Sequence, residues 1–111
     1  MNPARYDLPV VWRGSDYPAI ILRWKTSDGT PVNLTGWMAH ARSRHINFNP
    51  LILDAPNGVT SISLTNQETL VLPIGIERWD WLWAFQASPA FTGPFIAGYV
   101  EVKDPISANA Q

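Results

Sequence analysis

Four aromatic side chains at alternate positions, Trp79, Trp81, Trp83 and Phe85, constrain the architecture more tightly than anything else in this 111-residue chain. Successive side chains of a strand point to opposite faces, so this spacing gathers all four on one face, whereas a helix would scatter them. An apolar load of that size needs an opposing layer. It predicts the wall of a β-sandwich, with some rings left over for a docking surface.

The rest of the chain agrees with an all-β reading. Pro, Gly and Asn punctuate it every eight to fifteen residues, and the intervals are rich in β-branched and aromatic residues. Strands are expected at Tyr6–Arg13, Tyr17–Lys25, Trp37–Ser43, Leu51–Asp54, Val59–Leu64, Arg78–Ala87 and Phe95–Lys103. In the first, Tyr6, Leu8, Val10 and Trp12 would share a face, and Pro9 confines it to an edge or an irregular stretch. Asp28-Gly29 and Asn57-Gly58 are turn dipeptides suited to positive φ. A Pro/Gly loop from Ser88 to Pro94 is expected to join the last two strands. Thr65-Asn66-Gln67-Glu68 has the capping-box pattern, in which threonine and glutamate each satisfy a backbone donor at a helix start; Pro73 and Gly75 limit that helix to a turn or two. Leu70 and Leu72 would pin it to the sandwich rim. No repeat or linker divides the chain, so residues 1–111 read as one domain, with 1–4 and 106–111 as extended tails.

Composition narrows the function classes. A net charge of −1, with the basic residues scattered, lacks the electrostatic footprint of a nucleic-acid binder. With no cysteine there is neither a disulfide framework nor a thiolate metal site. No apolar run approaches a membrane span, and Met1–Asp7 lacks a signal-peptide core, so residence in a reducing cytoplasm is expected and no membrane partner. Only 15% of residues are charged, a surface short of charge that suits coverage by partners.

Candidate chemistry is sparse. His40 and His45 match no metal-ligand spacing, and Asp80, flanked by tryptophans, has no second carboxylate nominated beside it for acid–base work. Ser15, Ser43 and Ser61 lie in no nucleophile motif, and the glycines form no phosphate cradle. The chain therefore reads as a non-enzyme that takes no cofactor, metal or small-molecule substrate. Six tryptophans exceed what a small core absorbs; Trp79 and Trp12, at strand ends, are the expected interface rings. Tyr17 and the local basic pair Arg42 and Arg44 complete the candidate protein-contact set. A carbohydrate-binding platform of coplanar indoles is the competing use of the same rings.

The segment order carries a resemblance. Gly14-Ser15-Asp16-Tyr17-Pro18, then Asp28-Gly29-Thr30-Pro31-Val32-Asn33-Leu34-Thr35-Gly36, then Ile62-Ser63-Leu64-Thr65-Asn66-Gln67-Glu68-Thr69, the aromatic strand and Gly98-Tyr99-Val100-Glu101-Val102 follow one another. Together they resemble the small immunoglobulin-like β-sandwich proteins of tailed bacteriophages, including the N-terminal domain of baseplate upper proteins. Trp81, Trp83, Ala84 and Phe85 depart from the Y-x-Y-D-L strand of that group. The resemblance implies an antiparallel immunoglobulin-like sandwich of six to seven strands with one short helical crossover. It also implies a virion part, made in the bacterial host, that attaches tail, baseplate or neck components and contacts other virion proteins and copies of itself. A capsid decoration or head-fibre anchor is the alternative within that group. It implies no catalytic residues.

Overall fold

The computed structural model describes residues 4–85 and 88–105, and over 88–94 the backbone alone. Among the described residues eight strands form two facing sheets: β1 (Ala4–Arg5), β2 (Val11–Trp12), β3 (Tyr17–Arg23), β4 (Trp37–Ser43), β5 (Leu51–Asp54), β6 (Val59–Leu64), β7 (Gly75–Phe85) and β8 (Ser88–Lys103), with one helix, α1 (Asn66–Leu70), between β6 and β7. One sheet runs β3-β6-β5; the other runs β1-β8-β7-β4, with β2 also on β8. The three-strand sheet facing β4, β7 and β8 is the strand arrangement of an immunoglobulin-type sandwich.

The tryptophan strand lines the interior. Trp79 and Trp81 are fully buried and Trp83 nearly so, against Val100 and Val102 of β8 and Ile62 and Leu64 of β6. Sheets pack about 10 Å apart, and without a disulfide between them large rings must fill the gap. Trp24, just beyond β3, reaches across to Trp81 and Trp83 at ring separations of 5.2 Å. Each buried indole removes about 150–250 Å² from water, worth roughly 4–6 kcal/mol before entropy is counted.

Four expectations need correction. The N-terminal strand is broken at Pro9: both Leu8 and Val11 are buried, an odd spacing that alternation alone forbids, so the stretch shifts phase while still following β8 in parallel. The sandwich is thus antiparallel except along that edge. Ala4, read as tail, is paired with Ile96. Strand β7 starts at Gly75 rather than Arg78, because Gly75 to Arg78 pair with Val102 to Tyr99; Trp79 therefore sits inside the strand, not at its end. Finally, Ser88 to Pro94 is strand, not loop. Along β7 four steps separate Trp81 from Phe85, whereas along β8 eight separate Ile96 from Ser88, so bulges absorb the surplus, and the register pairs fall on Ser88, Thr92 and Ile96 rather than on Pro89 or Pro94. The expected tail 106–111 lies outside the described residues.

Candidate functional site

The predicted contact residues divide. Trp79 is 2% exposed and donates its N–H to the Tyr6 carbonyl at 2.7 Å, and Tyr17 is 5% exposed with its hydroxyl on the Pro9 carbonyl at 2.7 Å. Burial pushes the Tyr17 phenol pKa up. Both belong to the chain's own core. Trp12, Arg42 and Arg44 are exposed, but they are not one cluster: Trp12 lies on the β8 edge, while Arg42 lies opposite Asp80 on β4 at the other edge.

What the fold gathers instead are two apolar ends. At the first, Trp24, Trp37, Trp83 and Phe95 wall a cavity of about 280 Å³, with Val32 and Leu34 beneath and Lys25 beside them. Trp24 is held by its amide on the Gly58 carbonyl (2.8 Å) and by its indole N–H on the Thr60 hydroxyl (2.9 Å). Gly58 is required here. Its φ is +67°, and a Cβ would stand 2.6 Å from the Trp24 carbonyl oxygen. Trp37 opens β4 after a turn closed by its N–H on the Leu34 carbonyl, and it packs on Phe85 at 5.0 Å between ring centres. The rings meet at steep angles, 72° for Trp24 with Trp83 and 73° for Trp37 with Trp83, so they do not form the coplanar row on which a sugar chain stacks.

The opposite end carries α1 and the link to β7. Thr65 caps α1 by accepting from the Glu68 amide, and the Glu68 carboxylate accepts from the Thr65 amide in return. Asp16 accepts from the Asn66 amide at 2.8 Å, and the Thr69 hydroxyl donates to the Ser15 carbonyl at 2.8 Å while accepting from the Gly14 amide. So short a helix does not stand alone, and these bonds bolt it to the β2–β3 link. Leu72 is the one residue of the Leu70–Ile76 segment that turns into the core. Leu70, Val71, Ile74 and Ile76 remain 57–78% exposed.

Beside this end, Glu77 fastens the link after β4. It accepts from the Ser43 hydroxyl at 2.6 Å, the His45 amide at 3.0 Å and the His45 ring at 2.7 Å. Burial pushes its carboxyl pKa up, but those hydrogen bonds outweigh burial and hold it below the ordinary value of 4.5. Asp28, in the β3–β4 connection, is drawn down to about 2 by the Thr26 hydroxyl and then by the Thr30 amide. A carboxyl with a lowered folded-state pKa contributes stability above its unfolded pKa and loses it as pH falls through the folded one. The urea midpoint is therefore expected to hold at neutral pH and to fall below about pH 4.5. Glu77→Gln should cost about 1–3 kcal/mol at pH 7 and make the acid fall shallower. Equal acid slopes for parent and variant would remove Glu77 from this role.

Asp80 faces outward opposite Arg42 and Ala97, whereas Glu77, three residues away, alternates to the inner face. Glu101, on the outer face, is about 13 Å along the sheet by strand rise. Among the described residues no group of three or more His, Asp or Glu side chains is placed to hold a metal ion. Sequence reasoning missed Val71, Ile74, Ile76, Phe95 and Lys25. A signal existed: Leu70-Val71-Leu72-Pro73-Ile74-Gly75-Ile76 is more apolar than a crossover of one short helix can bury. No protein-family model matches the chain, and no curated protein matches it in sequence.

Proposed function

We propose that the chain is a non-enzymatic attachment module of a tailed-phage particle, present in several copies as a tail, baseplate or neck adaptor. The observation that carries the attachment reading is the exposure of large apolar side chains at both ends of the sandwich: Leu70, Val71, Ile74 and Ile76 at one, Trp37, Met38, Phe85 and Phe95 at the other. A small core that already holds three tryptophans has no need of these residues, and leaving them in water costs about 25 cal/mol for each Å² that a partner could cover. The assignment to a phage particle rests on the motif order that resembles the phage sandwich proteins. Such an adaptor needs no reactive group; its work is to present two fixed surfaces across a rigid body.

The test is to purify particles of a phage that encodes the chain, quantify it by mass spectrometry and label it by immunoelectron microscopy. Several copies per particle at the tail or baseplate is the expected result. Label on the capsid alone would replace the adaptor role with decoration, and absence from the particle would overturn the proposal.

A further inference from the structure

The two apolar ends differ in their side chains, aromatic at one and aliphatic at the other, and that difference bears on which partner they take. One is a cavity of about 280 Å³ walled by aromatic rings. At the other, the turn after α1 exposes Val71 (78%) and Leu70 (57%). Strands β3 and β7 run the length of the body between them, so the cavity and the loop lie at opposite ends of one rigid sandwich. We propose that the occupant of the cavity is a second copy of this chain, which inserts its Leu70–Val71 turn so that subunits associate head to tail. This rests on the attachment reading above and adds the partner and the two surfaces.

Size, charge and area each support that occupant. Ligand pockets for drug-sized molecules run from about 300 to 1,000 Å³, so this cavity is scaled to one or two aliphatic side chains. An aromatic box commonly attracts a cation, but here Lys25 stands at the cavity and none of its described lining residues is acidic, which favours an anionic neighbour. At the other end Glu68 shares a groove with Val71, and its carboxylate pKa is held down first by the Thr65 amide and then by Asn49. Arg44 and Arg78 lie instead beside Ile74 and Ile76, and Arg13, which donates to the Leu70 carbonyl at 3.2 Å, is paired with Asp104 at 2.8 Å, so the Val71 side, with Glu68, is the one that complements Lys25. The two shorter dimensions of the molecule are 27 and 24 Å, an end face of the same order as the ~800 Å² per partner of a standard interface. A net charge of −1 does little to keep copies apart. Because the two surfaces are different, the contact is heterologous and propagates to a ring or a filament according to the rotation per step.

Sedimentation velocity over a concentration series, on the full chain and two variants, tests this. Val71→Asn puts a neutral polar group in place of the apolar insert without offering Lys25 a counter-charge, and Lys25→Glu reverses the charge at the cavity; both positions are exposed and leave the core intact. Circular dichroism and urea midpoints should match the parent. The parent should grow through dimer to larger species, and each variant should weaken association by roughly tenfold or more. Mixed in equal amounts, the variants retain one intact cavity and one intact loop between them, so they should form a dimer and stop. A parent that stays monomeric, variants that assemble like the parent, or a mixture no larger than either variant alone would each overturn the head-to-tail contact. A monomeric parent that is still found in purified particles would defeat this contact and leave the attachment reading standing.

Discussion

Replacing Trp81 by alanine is expected to cost about 3–5 kcal/mol, a large part of the 5–15 kcal/mol that holds a typical domain together. For a chain of this length that lowers the thermal midpoint by roughly 12–20 °C. The ring is fully buried between the sheets and contacts both Trp24 and Trp83 at 5.2 Å, so truncation opens a cavity and removes the bridge between layers. Its neighbours on β8 and β4, Ile96 and Ala41, are fixed by the sheet register and cannot collapse into the space. The Trp81 N–H is buried without an acceptor among the described residues, so the loss is one of packing rather than hydrogen bonding. Trp12→Ala, on an exposed edge at 42% accessibility, should cost less than about 1 kcal/mol. Thermal and urea unfolding of the two variants side by side would measure the contrast. A Trp81→Ala protein within about 1 kcal/mol of the parent would contradict the inward wall.

Gly98→Ala should peel the N-terminal strand from β8. The backbone of Gly98 is not in the left-handed region, so the obstacle is purely steric: an added Cβ would stand 2.2 Å from the Tyr6 carbonyl oxygen and 2.8 Å from Asp7 Oδ1. Main-chain atoms on an anchored strand cannot move aside cheaply. Displacing them breaks the bonds from the Tyr6 amide to Ala97, from the Leu8 amide to Tyr99, from the Trp79 indole to Tyr6 and from the Tyr99 amide to Asp7. At about 1 kcal/mol for each, the expected cost is roughly 2–4 kcal/mol. Hydrogen exchange supplies a specific readout, with the Tyr6 and Leu8 amides losing protection first. Gly29→Ala is the control: nothing lies within 4 Å, and only its φ of +88° is penalised, by about 1–2 kcal/mol, with the N-terminal strand undisturbed. Unchanged protection at Tyr6 in Gly98→Ala would mean that the close approach is not what seats that strand.

Much of this fold is local enough to be read from the residues. Alternation assigns Trp79, Trp81 and Trp83 to one face, and the structure buries all three. The capping box places the start of α1 at Asn66, and the Asp28-Gly29 and Asn57-Gly58 turns fall where positive φ is needed. Strands β5 and β6 keep the bounds that their flanking turns set. What local signals do not carry is pairing at a distance. The parallel seat of the N-terminal strand depends on a glycine more than ninety positions away, and the phase change at Pro9 follows from that seat rather than from the residues around it. The proline-bearing start of β8 reads as loop because proline cannot donate to a ladder, yet a bulged ladder leaves positions where no donor is asked for.

The exposed apolar ends are legible in the sequence only in outline. A surplus of apolar rings is visible in composition, but which of them face water is decided by where the sandwich ends. Phe85 shares the face of the tryptophans and is nevertheless 40% exposed, at the last position of β7. Trp79 reads as a strand-end ring until Gly75 is seen to begin the strand. Leu70 and Leu72 look alike in the sequence; only Leu72 finds the core, and the short helix that decides between them has too few turns to show a periodic face.

Hydroxyl-radical footprinting of the chain, free and then in the assembled particle, tests the central claim that the sandwich ends are surfaces for partners while the tryptophan strand is core. In the free chain Trp12, Trp37, Val71 and Ile74 should react readily and Trp79 and Trp81 should not. In the assembly Trp37 and Val71 should become protected, with Trp79 and Trp81 as before. Equal labelling of both ends in the two states, or Trp79 and Trp81 reacting as fast as Trp12 in the free chain, would contradict it.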